Sequence, residues 1–154
     1  MSQDILKRMV LFQDLTDPEL VEILTLCVTK KYPAGSTIFA DGDPANKFYL
    51  IRQGEVRISK MYSGVGEEAL AILKEGDLFG EMALIDEKVR SAQAIANKDC
   101  VLMEVSRDDF KSLLDREGEI ARKFLWQFCR ILTNRLRLTN EKFYGLFAMS
   151  GFFK

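Results

Sequence analysis

The chain has 154 residues and a formal charge of −1, from 22 Lys and Arg against 23 Asp and Glu. Its shares of 47% hydrophobic and 29% charged residues describe one globular domain, able to bury roughly 70% of the surface its unfolded form exposes. The absence of His excludes Ser-His-Asp and Cys-His nucleophiles, His-ligated zinc and 2-His iron sites, and the near-neutral charge gives no general pull toward nucleic acid.

Ile5, Leu6, Met9, Val10 and Phe12 recur at helical spacing over residues 3–12. A second helix has a written start. Thr16 caps, Glu19 follows three residues later, Leu15 and Leu20 form the flanking staple, and Pro18 fits the first turn. Leu20, Ile23, Leu24 and Cys27 give it one apolar face. From Tyr32 the period becomes two. Short apolar runs at 38–39, 48–51, 56–58 and 70–73 are punctuated by Gly-bearing turns at 41–44, 53–55, 63–66 and 75–77. Ala92, Ala94 and Ala96 alternate with polar neighbours, as do Val101, Met103 and Val105. This spacing predicts a small antiparallel barrel or sandwich. Ser106 and Asp109 then mark a helix start, filled by Phe110, Leu113 and Leu114. After Gly118 a long helix runs from about Glu119 to about Phe143. It carries two apolar stripes. Ile120, Phe124, Phe128, Ile131 and Leu138 suit packing on the barrel; Leu125, Leu132, Leu136 and Phe143 need another cover. The tail 144–154 holds Leu146, Phe147, Met149, Phe152 and Phe153, too apolar to be left in water.

Cys27, Cys100 and Cys129 are far apart and odd in number. They read as reduced core residues, not a disulfide framework or a zinc knuckle. The opening Met1-Ser2-Gln3-Asp4 carries no signal-peptide pattern. No stretch reaches the ~18 apolar residues of a membrane span. The expectation is a cytoplasmic protein with no metal.

The informative segment is 79–92, Phe-Gly-Glu-Met-Ala-Leu-Ile-Asp-Glu-Lys-Val-Arg-Ser-Ala. Gly80 permits a tight turn into a helix-prone stub whose free N–H groups suit an anion. Arg90, nine residues after Glu81, can fold its fork over the same anion. Glu81 is an acceptor of the kind that binds ribose hydroxyls. Together they describe a sugar-phosphate site. The alternative is a structural Glu81–Arg90 ion pair.

This segment resembles the phosphate-binding cassette of the cyclic nucleotide-binding domain, Phe-Gly-Glu-x-Ala-Leu, a short loop, then Arg and small residues. The resemblance extends upstream through Ala34-Gly35, Gly42-Asp43, Tyr49-Leu50-Ile51, Gly54-Glu55-Val56 and Gly76-Asp77, and covers about residues 10–142. One departure is Val89, where many members have Pro before the Arg.

The resemblance implies an α+β fold, an antiparallel jelly-roll-like β-roll (31–106, cassette 79–92) between N-terminal helices (1–30) and a C-terminal helix pair (107–143), with the apolar tail 144–154 beyond. It implies a cyclic purine mononucleotide ligand, with cAMP the first expectation and cGMP the alternative, since Ser91 could serve either base. Glu81 would accept from the ribose 2′-OH and Arg90 would pair with the cyclic phosphate. The N–H groups of Ala83 and Ser91 would complete the cradle, and Gly80 would line the ribose. Phe79, Leu73 and Ala71 would lie near the base, with Met82 and Ala92 in the same ligand set. Arg135 and Thr139 would be base contacts on the long helix, or else a snorkelling Arg and a tolerated Thr.

The implied role is a sensor or regulatory module moving its C-terminal helix, with an unknown effector and a homodimer through 119–143 as further expectations. The rival readings are an interaction scaffold with a vestigial site and an enzyme. The latter lacks any triad, P-loop or metal cluster. The basic residues of the long helix read as a solvated face, and the tail as a lid or a docking segment. The eleven residues after Phe143 leave no room for a helix-turn-helix DNA reader.

Overall fold

The computed structural model of the protein describes residues 2–151. Helices α1 (Ser2–Arg8) and α2 (Asp17–Thr25), with a 3-10 turn at Val10–Phe12 between them, lead into eight strands. These are β1 (Cys27–Tyr32), β2 (Thr37–Phe39), β3 (Lys47–Gln53), β4 (Glu55–Tyr62), β5 (Gly66–Lys74), β6 (Leu78–Phe79), β7 (Gln93–Ala96) and β8 (Cys100–Ser106). A 3-10 turn at Glu81–Leu84 follows β6, and helices α3 (Arg107–Arg116) and α4 (Gly118–Met149) close the chain. The strands form two antiparallel four-stranded sheets, β1-β8-β3-β6 and β2-β7-β4-β5. This is the α+β roll expected, with helices before and after it.

In the sheet β1-β8-β3-β6 the central strands β8 and β3 are covered on both faces. Phe48 and Leu50 of β3 and Met103 and Val105 of β8 pack outward against the helices, in a core with Phe12, Leu20, Phe110, Phe124 and Phe128. The alternate residues Tyr49, Ile51 and Leu102 face inward and join Val56, Phe79, Ala94 and Ala96 between the sheets. Two-sided burial explains why Phe48–Ile51 reads as a continuous apolar run, not an alternating one. Phe124 links the helices: its ring lies 4.7 Å from Phe110 and 5.6 Å from Phe128.

Three expectations need correction. The roll begins at Cys27, not at 31, so α2 stops at Thr25. The Val28-Thr29-Lys30-Lys31 stretch has no apolar alternation, and its outer residues are exposed. Tyr144–Met149 continues α4 as helix, so within the described residues it does not fold back as a lid. The remaining tail residues, Phe152, Phe153 and Lys154, lie outside the described residues, as does Met1. The Thr16 capping box forms: its N–H donates to Glu19 at 2.7 Å, its side chain meets the Glu19 backbone N–H, and its hydroxyl also donates to the Glu19 carboxylate at 3.0 Å. Glu19 thereby becomes the hub that Lys123 Nζ reaches at 2.8 Å, tying α2 to α4. Finally, Cys27 is part-buried and Cys100 buried, but Cys129 is exposed on α4.

Candidate functional site

The site is built where β6 runs out. Leu78 and Phe79 pair with Leu50 and Tyr49, and the next register position would pair the chain with Phe48 and Lys47. Gly80 breaks that register by turning at φ +71° into the 3-10 turn. A side chain at 80 would place its Cβ 2.7 Å from Arg90 Nη1, so the glycine also makes room for the guanidinium. Two backbone carbonyls, of Lys47 and Gly80, are left without a sheet partner. Arg90 takes both: Nη2 donates to Lys47 O at 2.6 Å and Nη1 to Gly80 O at 3.1 Å.

The Arg90 backbone is fixed as firmly. Its N–H donates to Asp43 O at 2.8 Å, and its C=O accepts from Gly42 N–H at 2.9 Å. The guanidinium carbon lies 4.1 Å above the Phe39 ring, a cation–π platform. Arg90 is only 6% exposed, and its Nε has no hydrogen-bond partner. Burial pulls the guanidinium down from its usual range, against the pull of Tyr49, Glu81 and Asp43; an arginine stays charged regardless. A buried cation with an orphaned N–H, held by carbonyls and not by a carboxylate, fits an anionic ligand.

Glu81, the first residue of the 3-10 turn, is 7% exposed. It makes no ion pair with Arg90 among the described residues. Its Oε1 instead accepts from Arg135 Nη1 at 2.5 Å, and Arg135 Nη2 donates to Leu78 O at 2.7 Å. Arg135 on α4 therefore clasps the cassette directly, which neither the base-contact nor the snorkelling reading describes. The Ala83 N–H is engaged in the turn, donating to Gly80 O at 3.3 Å. Among the described residues the Ser91 N–H has no acceptor.

All twelve residues singled out from the sequence line one cavity of about 840 Å³. Gly80, Glu81, Met82 and Ala83 form its floor turn, and Arg90, Ser91 and Ala92 the following wall. Phe79, Leu73 and Ala71 come from the strands, and Arg135 and Thr139 from α4. Sequence reasoning missed Phe39, the Lys47 carbonyl and Gln127, which also lines the cavity and whose Oε1 is buried without a partner. Phe39 carried a signal, as an aromatic in a short strand beside the Gly42-Asp43 turn. A backbone carbonyl carries none. Among the described residues no group of three or more potential metal ligands comes together, and no helix is long and apolar enough to cross a membrane.

A family model described as "Cyclic nucleotide-binding domain" matches residues 29–117. The cAMP-dependent protein kinase regulatory subunit of Aspergillus niger is 40% identical over 123 residues, which is 80% of this chain and 29% of that protein. The cyclic AMP receptor protein of Thermus thermophilus is 37% identical over 127 residues, 82% of this chain and 57% of that protein. Among solved structures, a cyclic nucleotide-binding domain from Methylobacillus flagellatus superposes with a TM-score of 0.81 at 27% identity, covering 92% of this chain and 79% of that one. The chain thus spans less than two thirds of the length of the two curated relatives.

Proposed function

Because the chain belongs to the cyclic nucleotide-binding domain family, we propose that it is a cyclic purine nucleotide sensor that takes cAMP in preference to cGMP and passes binding on to α4. The observation that carries this reading is Arg90: a buried cation that meets carbonyls and, among the described residues, no carboxylate salt bridge, with an orphaned Nε, on the wall of a cavity that also holds Glu81. In the bound state Arg90 gives charge-assisted hydrogen bonds to the cyclic phosphate, worth roughly 1.5–3 kcal/mol. The Ser91 N–H adds a neutral donor. Glu81 accepts from the ribose 2′-OH, and Ala71, Leu73, Phe79, Met82 and Ala92 line the space left for sugar and base. Cyclic AMP is favoured because the curated relatives are named for it.

The Arg135–Glu81 contact supports coupling to α4. A ribose hydroxyl on Glu81 competes for the carboxylate that holds Arg135, so ligand and helix share one acceptor. A ligand shifts a two-state equilibrium only by its differential contacts with the two states, and this shared acceptor is such a contact. Thr139, one turn further along α4, faces the same cavity and would meet the base.

The outer stripe of α4 is exposed, with Leu136 at 61% and Phe143 at 56%. That supports pairing of two copies along this helix, with an effector protein receiving the change. The molecule is a binding module and not an enzyme in this reading, and it works in the cytoplasm, where its three thiols stay reduced.

Calorimetric titration with cAMP and cGMP, wild type beside Arg90→Ala, tests the proposal. Saturable cAMP binding, tighter than cGMP and weakened roughly 10- to 100-fold in the variant, is the expected result. Equal behaviour of the two proteins would leave an interaction scaffold with a vestigial site.

A further inference from the structure

Where β1, β8 and β3 meet, a buried carboxylate, Glu104, gathers two partly exposed lysines, Lys47 and Lys30, and Tyr32. Glu104 sits on β8, two residues from the inward-facing Leu102, and is 5% exposed. A carboxylate there is costly unless it is fully bonded. Tyr32 OH donates to Oε1 at 2.5 Å, Lys47 Nζ to Oε2 at 2.8 Å, and Lys30 Nζ lies 3.8 Å away. Burial pushes the Glu104 carboxyl up, but the Lys47 and Tyr32 hydrogen bonds outweigh it and hold it below the usual carboxylate value. Well-packed apolar residues often stabilise a fold as well as a buried ion pair does. Stability alone is therefore a weak reason for this cluster.

Lys47 connects the cluster to the nucleotide site. Its ammonium is held by Glu104, and its backbone carbonyl is the acceptor for Arg90 Nη2 at 2.6 Å. Lys47 is also the first residue of β3, in register with Ser106 of β8, and the chain just before it is held by the Arg107 N–H donating to Asn46 O at 3.0 Å. Tyr49 stands opposite Glu104 in the β3–β8 register, and burial raises its hydroxyl above the usual value. The Arg90 guanidinium carbon stands 5.7 Å over its ring.

We propose that Glu104, through Lys47 and Tyr32, is a positioning residue for Arg90: it pins the end of β3 so that the guanidinium meets an incoming phosphate in one preset orientation. The inference rests on the nucleotide reading above for its function, though not for its geometry.

The test uses two variants, Glu104→Gln, which keeps the shape, and Lys47→Met, which keeps the aliphatic stem of a half-exposed side chain. The first readout is the Nε–Hε resonance of ligand-free Arg90, assigned by its disappearance in Arg90→Lys. The wild type is expected to give a separate, slowly exchanging signal, which in both variants moves to the averaged position of free arginines. The second readout is cAMP titration, where both variants are expected to lose roughly three- to tenfold in affinity, the range for coupling within one network. An Arg90 signal unmoved in both variants overturns the proposal, whatever the affinity does. So does a moved signal with unchanged affinity. If the wild type binds neither cAMP nor cGMP, the nucleotide reading fails, and the resonance still decides whether Glu104 positions Arg90.

Discussion

Arg90 and Gly80 are matched in size as well as in sequence spacing. A methyl group on residue 80 would enter the space of Arg90 Nη1, and the φ of +71° would strain any L side chain. Gly80→Ala is therefore expected to weaken cAMP binding about tenfold and to cost roughly 1–2 kcal/mol in stability. Titration and urea unfolding measure the two effects separately. The thiols make a second residue-scale contrast. Burial pushes the Cys27 thiol up to about 11 and raises that of Cys100, whereas Cys129 lies open on α4. Under limiting iodoacetamide at neutral pH, mass spectrometry should find Cys129 alkylated first, because it is the exposed thiol, and Cys27 and Cys100 only later, since burial shields both and disfavours their thiolates.

At the scale of elements, α4 is two helices in one. Its first half is core: Phe124 is 1% exposed and touches the rings of Phe12, Phe110 and Phe128. Phe124→Ala should cost about 3–5 kcal/mol in urea unfolding, a large part of the 5–15 kcal/mol typical of a whole domain. Its second half is held to the roll chiefly through Arg135. In Arg135→Met, amide exchange across residues 136–149 is expected to accelerate while that of 120–128 stays unchanged.

The sequence disclosed the first half of α4 through Ile120, Phe124 and Phe128, which keep helical spacing and are buried. It also brought out the 79–92 segment that lines the cavity, because Gly80, Glu81 and Arg90 each have a distinct chemistry. It did not disclose β1, whose Val28 to Lys31 stretch is exposed on its outward face, nor the two-residue β6. Such strands are fixed by their partners β8 and β3 and not by their own pattern. The clasp of Arg135 on Glu81 was illegible for the same reason. It depends on where a helix begun at Gly118 arrives 17 residues later.

The molecule as a whole has no His and so no side chain whose ordinary value falls between about pH 5 and 8. Its pH response lies at the extremes. Glu19 is held below 4.5, chiefly by Lys123, and Glu104 is also below 4.5 despite its burial. Depressed carboxylates contribute stability above their unfolded values and lose it as pH falls through the folded ones. Lys47, raised above 10.5 chiefly by Glu104, contributes below that value and loses it as pH rises further. The urea midpoint should fall between about pH 7 and about pH 3, and Glu104→Gln should flatten that fall. In the proposed pairing of two copies, Leu136→Glu should convert the dimer to a monomer in analytical ultracentrifugation. A wild type that is already monomeric would assign the stripe to another partner.

The length of α4 also sets a mechanical gain. Phe128 is the last fully buried residue along the helix, and Met149 lies 21 positions beyond it, a span of roughly 32 Å at 1.5 Å per residue. If Phe128 is the fulcrum, a tilt of about 10° sweeps the far end through roughly 5–6 Å. At Arg135, seven residues out, the same tilt is only about 2 Å, enough to exchange one hydrogen-bond partner for another. On the proposed coupling the helix would act as a lever with its load arm three times its effort arm, turning one carboxylate's choice of donor into a displacement that another protein can feel.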